Sequence, residues 1–362
     1  MEESNDDRCR FVKLAGPTDD SIKGEDVLEL TETQKDSIFS KAASVVSSQK
    51  GASDSVLERL KDLSRPSAVF FDSKANLIKQ LVFRLIFPIH GRVANDKLSY
   101  IALSYRWTAK QLAGAERAEQ LNQFQAAAPN FALPIPPILY KALVTELQSK
   151  SEGIWCDQIC IDQQNKAEKA VSVGLMDIIY QEARCVVVAL ADVLLSQEEQ
   201  AFLESYIPDY LSIAQPERPG WRVPHRMEKP PFLETHPILY EMYWKIIESD
   251  YFKRAWCSHE MRMGKRLIFL VPCANPGTIF RFSGAFLVDL LLITAGLPDT
   301  HPSISPQLRD AIHNTIVAAR RGKVSLSQIV SCKFQIKYTN SARQATPTCQ
   351  NLNVPTAPSW TR

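Results

Sequence analysis

Trp256 and Glu260 stand four residues apart in the run Arg254-Ala255-Trp256-Cys257-Ser258-His259-Glu260. On a helix that spacing puts both on one face, so an indole can wall a pocket whose floor holds a carboxylate. An apolar wall raises the carboxyl pKa and sharpens its hydrogen bonding, which suits it to hold a sugar hydroxyl or steady a cation. The same spacing also describes a core tryptophan beside a surface glutamate. Asp157 and Asp162 bracket a second polar segment, Trp155-Cys156-Asp157-Gln158-Ile159-Cys160-Ile161-Asp162-Gln163. They are placed for acid–base work or a cation, and equally for capping a helix near Asn165 or holding the loop through Asx-type bonds. Arg106, in Ser104-Tyr105-Arg106-Trp107, can clamp a phosphate bidentately or pair with one of those aspartates.

Other chemistries are disfavoured by spacing. Cys257 and His259 are two apart, so on a helix they point away from each other and form no thiol–imidazole dyad. Cys156 and Cys160 lack the zinc-knuckle gap and a matching second pair, so they read as buried thiols and no metal is expected. Ser104 has no G-x-S-x-G elbow around it. Neither a P-loop nor a G-x-G-x-x-G fingerprint occurs in the chain.

These residues need strand ends and helix starts to position them. Ser99 to Tyr105 and Gly153 to Trp155 are apolar runs that stop abruptly in polar and aromatic residues. Between about residues 98 and 190, strands and helices alternate. The reading is strand Leu98–Tyr105, helix Ala109–Phe124, helix Ile138–Ser149, strand Gly153–Asp157, helix Ala167–Ala183 and strand Arg184–Leu190. Cys185-Val186-Val187-Val188-Ala189-Leu190 is a continuous apolar run, the mark of a strand covered on both faces, so a parallel sheet with crossover helices is expected. Ligands of such sheets gather just beyond the carboxyl ends of the strands.

Outside that stretch, residues 1–65 read as a polar appendage, partly helical or disordered, with one amphipathic helix near Thr33–Val46 and a shorter one at Ser55–Leu63. Leu81–Phe87 is a strand candidate stopped by Pro88. Residues 192–240 read as an irregular insertion rich in proline, followed by helix Ile238–Glu248 and strand Leu267–Val271. A helical continuation is expected over 273–336, with a buried helix at Ser283–Ala295, and a disordered tail over 337–362.

At 362 residues the chain holds one large domain or two modest ones. A net charge of +2 without a basic stripe argues against nucleic acid and against an anionic membrane. Met1–Arg10 has no apolar signal core, and the most apolar window, Ala285–Leu297, is too short to span a bilayer. Eight cysteines in a chain this long favour a reducing interior. A soluble, cytoplasmic protein is expected.

Taken together and in order, Tyr100–Trp107, Trp155–Gln163 and Arg254–Glu260 resemble the three motifs of the HET (heterokaryon incompatibility) domain of filamentous fungi. Met176–Ala183 resembles that family's M-x-x-I-Y-x-x-A helix, and Phe83-Arg84-Leu85 its upstream strand. The likeness covers about residues 80–272. Thr108 replaces the family's usual glycine and His259 its usual glutamine, and the carboxylate at 260 is kept.

A more distant resemblance is to TIR domains. Ala102–Arg106 is similar to their opening F-L-S-F-R strand, and Trp256–Glu260 to their W-C-x-x-E segment. The two likenesses imply a TIR-like or flavodoxin-like open parallel sheet flanked by helices, spanning 77–272, with the insertion at 192–240 and extra helices. They imply non-self recognition leading to programmed cell death, through self-association and other incompatibility proteins. The TIR resemblance implies that Glu260 supports cleavage of NAD, a substrate rather than a cofactor, at the nicotinamide–ribose bond. Trp256 would then wall a nucleotide pocket shared with Ser104, Tyr105, Arg106, Trp107, Asp157 and Asp162. The alternatives within the same likeness are a non-catalytic adaptor acting by homotypic association and a degenerate copy without activity, because fold likeness does not transfer activity.

Overall fold

The β-branched run at Val186–Ala189 forms a strand with every residue buried. It occupies the middle of an eight-stranded sheet. The structure, a computed structural model, describes residues 8–14, 23–24, 26–48, 68–88, 98–107, 131–132, 134–213, 236–254, 257, 260–261, 263–287 and 290. In chain order the strands are β1 (Cys9–Lys13), β2 (Lys23–Gly24), β3 (Asp26–Glu29), β4 (Arg84–Phe87), β5 (Tyr100–Tyr105), β6 (Phe131–Ala132), β7 (Gly153–Trp155), β8 (Val186–Ala189), β9 (Leu267–Pro272) and β10 (Thr278–Ser283). The large sheet runs β1-β10-β9-β8-β5-β7-β4-β3, and β2 pairs with β6 separately.

The α/β expectation holds, with one correction. Only the central four strands, β7-β5-β8-β9, are parallel. Both flanks are antiparallel, so the sheet is mixed. Within the parallel core the strands lie in sequence order 2-1-3-4, the flavodoxin-like winding. Register is tight at the centre: Ala102 faces Trp155 on one side and Val186 on the other.

The largest correction concerns the N-terminus. The segment read as an appendage supplies both edges of the sheet, β1 beside β10 and β3 beside β4. Its helix, Glu32–Ser48, carries Phe39, which is buried edge-on against Phe83 at 5.0 Å, and Phe83 in turn meets Tyr100 at 5.3 Å. The two edge strands are five and four residues long and flanked by charge. Such short, half-buried strands carry little periodicity. The Ser55–Leu63 helix lies outside the described residues.

The expected helical continuation from 273 begins instead with a strand. Asn275-Pro276-Gly277 reverses the chain, with Gly277 at φ 74°, and β10 returns antiparallel to β9. Only Gly takes that φ without a steric penalty. Every residue of β10 is buried, Arg281 included; its guanidinium bonds the Glu146 carboxylate at 3.0 and 3.3 Å. Residues 284–287 and Leu290 are helical; the rest of that helix and the whole tail lie outside the described residues.

The helices at Pro137–Thr145, Lys166–Gly174, Met176–Glu182 and Pro237–Ile247 fall near the expected places, while Ala68–Gln80 and Asp157–Cys160 are helical where no helix was expected. The single helix expected over 167–183 is broken in two. After Gly174, Leu175 leaves helical geometry at φ −112°, ψ 5°. The segment read as an irregular insertion contains a helix, Gln197–Ile213, while 214–235 lies outside the described residues, as does the helix expected over 109–124. Among the described residues no helix is long and apolar enough to cross a membrane.

Candidate active site

The carboxyl ends of β5 and β7 lie side by side, and the chain leaving each carries polar side chains. From the end of β5, the Tyr105 hydroxyl and the Trp107 indole N–H both donate to the Asp157 carboxylate at 3.0 Å. Asp157 opens the short helix after β7, and its Oδ1 also accepts from the Gln158 backbone N–H at 2.7 Å. Gln163 donates its side-chain amide to the backbone oxygens of Asp157 and Ile161, at 2.8 and 3.3 Å, which closes the loop back on itself.

Glu260 reaches the same place from the helical residues before β9. It is only 7 % exposed, and its Oε2 accepts a hydrogen bond from the buried Ser104 hydroxyl. Ser104 Oγ lies 2.6 Å from the Tyr251 hydroxyl, and Tyr180 adds a further hydrogen bond to Glu260. Tyr251 sits in the 3-10 turn Asp250–Lys253, whose start is capped by the Ser249 hydroxyl. Arg254 follows that turn and donates to the Tyr105 carbonyl at 3.2 Å. Three distant stretches of sequence thus converge, held by hydrogen bonds between neighbouring strand ends.

Together they line a half-open cleft of about 250 Å³. Trp107, Asp157, Arg254 and Glu260 form one part of its wall. Ile161, Gln163, Lys169, Val173 and Met176 complete it from the loop and the two helices after β7. Burial raises the Glu260 carboxyl to about 7, helped by the nearby Asp157 charge and opposed by the Ser104 bond, by Arg254 and by the Tyr180 bond. Burial raises Asp157 to about 6, against the bonds from Tyr105 and Gln158, the Arg254 charge and the Trp107 bond. Tyr105, Tyr180 and Tyr251 are pushed well above the ordinary phenol range, chiefly by burial, so they stay protonated as donors. Burial likewise pushes the Cys257 thiol up, leaving no thiolate nucleophile there. A buried carboxylate that ionises near neutrality is suited to stabilise positive charge as it develops.

The family described as Heterokaryon incompatibility protein (HET) matches residues 100–260. Over that stretch the chain is similar to the HET family. Heterokaryon incompatibility protein 6, OR allele, of Neurospora crassa is 29 % identical over 201 residues, which cover 47 % of this chain and 28 % of that protein. The chain therefore spans well under half the length of that relative. No solved structure matches it.

The stretch matched by the family begins on β5 and ends on Glu260, so it encloses the cleft. Of the residues singled out by sequence, Trp107, Asp157 and Glu260 line it, while Ser104 and Tyr105 are buried behind it as hydrogen-bonding supports. Arg106 does not join them. Its guanidinium pairs with Asp250 at 2.6 Å and is 42 % exposed. Neither expected aspartate is its partner, because successive residues of a strand end point to opposite sides. Asp162 is not a cleft residue either: its Oδ1 accepts from the backbone N–H groups of Gln164 and Asn165 at 2.9 and 3.3 Å, an Asx-type turn before a helix capped by Asn165. Trp256, Thr108 and His259 lie outside the described residues. Sequence reasoning gave no role to Arg254, Gln163 or Lys169. The first two stand inside the quoted motifs, which was the available signal. Lys169 carried none. No group of three or more metal-ligating side chains occurs among the described residues.

Proposed function

We propose that this chain acts in heterokaryon incompatibility, in non-self recognition leading to cell death, and that its cleft cleaves NAD at the nicotinamide–ribose bond. The first half is supported by the HET match and by the printed name of the Neurospora crassa relative. The second half is supported by one observation above all: Glu260 lines a cleft at the carboxyl ends of parallel strands while Ser104 fixes its carboxylate from behind. The bond that breaks is C1′–N, with its electrons passing to the pyridinium nitrogen, so nicotinamide leaves neutral. The ribose ring becomes oxocarbenium-like, and the Glu260 carboxylate steadies it before water adds. Trp107 supplies an aromatic wall, and Arg254 with Asp157 sets the charge around the carboxylate.

The test is NAD consumption by purified protein, dilute and concentrated, for wild type and Glu260→Gln. Wild type turns over NAD when concentrated, and the variant falls by about 100-fold or more while its circular dichroism is unchanged. Because Glu260 must be ionised, wild-type turnover rises with pH through about 7. Concentrated wild type that never consumes NAD ends the enzymatic reading. Cell killing that survives Glu260→Gln gives the homotypic adaptor reading instead.

A further inference from the structure

Four ionisable residues line the cleft: Asp157, Lys169, Arg254 and Glu260. Three of them form one group. Arg254 is the cation that lowers both carboxyls, and Asp157 raises Glu260. With both carboxylates ionised, Arg254 balances one of them, which leaves that end of the cleft net negative and ready for a cation. Lys169 lines the same cleft from a different element, the helix after the Asp157 loop. It is exposed on the Lys166–Gly174 helix, one turn before Val173, which lines the cleft with it. Its backbone N–H is used in the helix, bonding Asn165 O. Its ammonium has no hydrogen bond or ion pair among the described residues. Other cations near the site are committed: Arg84 to Glu168, Lys74 to Asp177 and Arg106 to Asp250.

We propose that Lys169 is the phosphate contact of the cleft, so that a ligand lies with its cationic end against Asp157 and Glu260 and its phosphate at Lys169. This rests on the NAD-cleaving reading and deepens it. It assigns a phosphate-specificity residue and a direction to the bound ligand. An exposed ammonium acts as a flexible point charge on a phosphate rather than a rigid fork. Because it is exposed, its contribution is modest and salt-sensitive.

Nicotinamide mononucleotide and nicotinamide riboside share the cationic ring and differ by one phosphate, so the pair isolates this contact. Titration calorimetry on the full chain measures both, for wild type, Lys169→Ala and Lys169→Arg. Wild type binds the mononucleotide about fivefold more tightly than the riboside, a preference that fades as salt rises. Lys169→Ala erases the preference by weakening the mononucleotide alone, and Lys169→Arg keeps it. The proposal is overturned if Lys169→Ala weakens both ligands equally, if the preference survives it, or if wild type shows no preference or binds neither ligand. The two readings separate cleanly. Turnover of NAD with an unchanged Michaelis constant in Lys169→Ala removes the phosphate contact and leaves the enzymatic reading. A Lys169-dependent preference without turnover does the reverse.

Discussion

Glu260 is held in the cleft at a cost to the fold, and the sign of that cost follows from its pKa. Burial raises the folded-state value from the ordinary 4.5 to about 7. Below about pH 4.5 the carboxyl is protonated whether the chain is folded or not, so it weighs nothing. As pH rises from about 4.5 to about 7 the unfolded chain ionises while the folded one keeps its proton, so stability is lost across that window. Above it the folded chain buries an anion and the loss levels off. Glu260→Gln keeps an acceptor for Ser104 and removes the charge. Urea unfolding is expected to give equal midpoints near pH 4 and a variant more stable by on the order of 2 kcal/mol at pH 8. A variant less stable than wild type at pH 8 contradicts this account. The residue whose loss ends turnover is then also one whose loss steadies the protein, the trade expected where function strains the fold.

At the scale of elements, the site depends on how closely the strands that carry it approach. Gly153 opens β7, and a Cβ built there lies 2.8 Å from Leu85 Cβ and 2.9 Å from Leu85 Cδ1. Leu85 is fully buried on β4 and has nowhere to move. Gly153→Ala is therefore expected to cost about 1–3 kcal/mol by overpacking, read as a lower urea midpoint. It should also loosen the β7 end that presents Asp157. A variant as stable as wild type means β4 yields more readily than its packing implies. Gly153 also illustrates what was legible in the sequence. The apolar runs at β5, β7 and β8 announced buried parallel strands, and the polar residues ending the first two located the cleft. Of the antiparallel flanks, β4 was announced by the run Leu81–Phe87, but β1 and β3, five and four residues long and only half buried, gave no comparable signal. β10 was taken for helix although Asn275-Pro276-Gly277 and the β-branched and aromatic run after it spelled out a hairpin. Among site residues, Asp157 could be named because it follows an apolar strand run, and Glu260 because it stands four residues after Trp256. The partner of Arg106 could not, because Asp250 is distant in sequence and only the 3-10 turn brings it close. Lys169 looked like any lysine on a solvated helix.

For the molecule as a whole, the sheet is closed on both sides by strands from its N-terminal segment. Removing residues 1–31 would strip β1 and β3 together and bare the backbone of β10 and β4. Phe280, which meets Phe11 at 5.2 Å, would lose its cover. Open apolar edges recruit other chains, so the truncated protein should run as large oligomers or precipitate on size-exclusion chromatography. A monodisperse monomer with the wild-type urea midpoint would restore the view of this segment as an appendage. The pairing of Cys9 with Phe282 carries a consequence for how the protein is made. β1 emerges from the ribosome early, yet its hydrogen-bonding mate is translated only after the entire parallel core. During that interval its unpaired amides and Phe11 need shelter, and such long-range closure is slow. Newborn chains should lean on chaperones until the final hairpin arrives to claim its waiting neighbour.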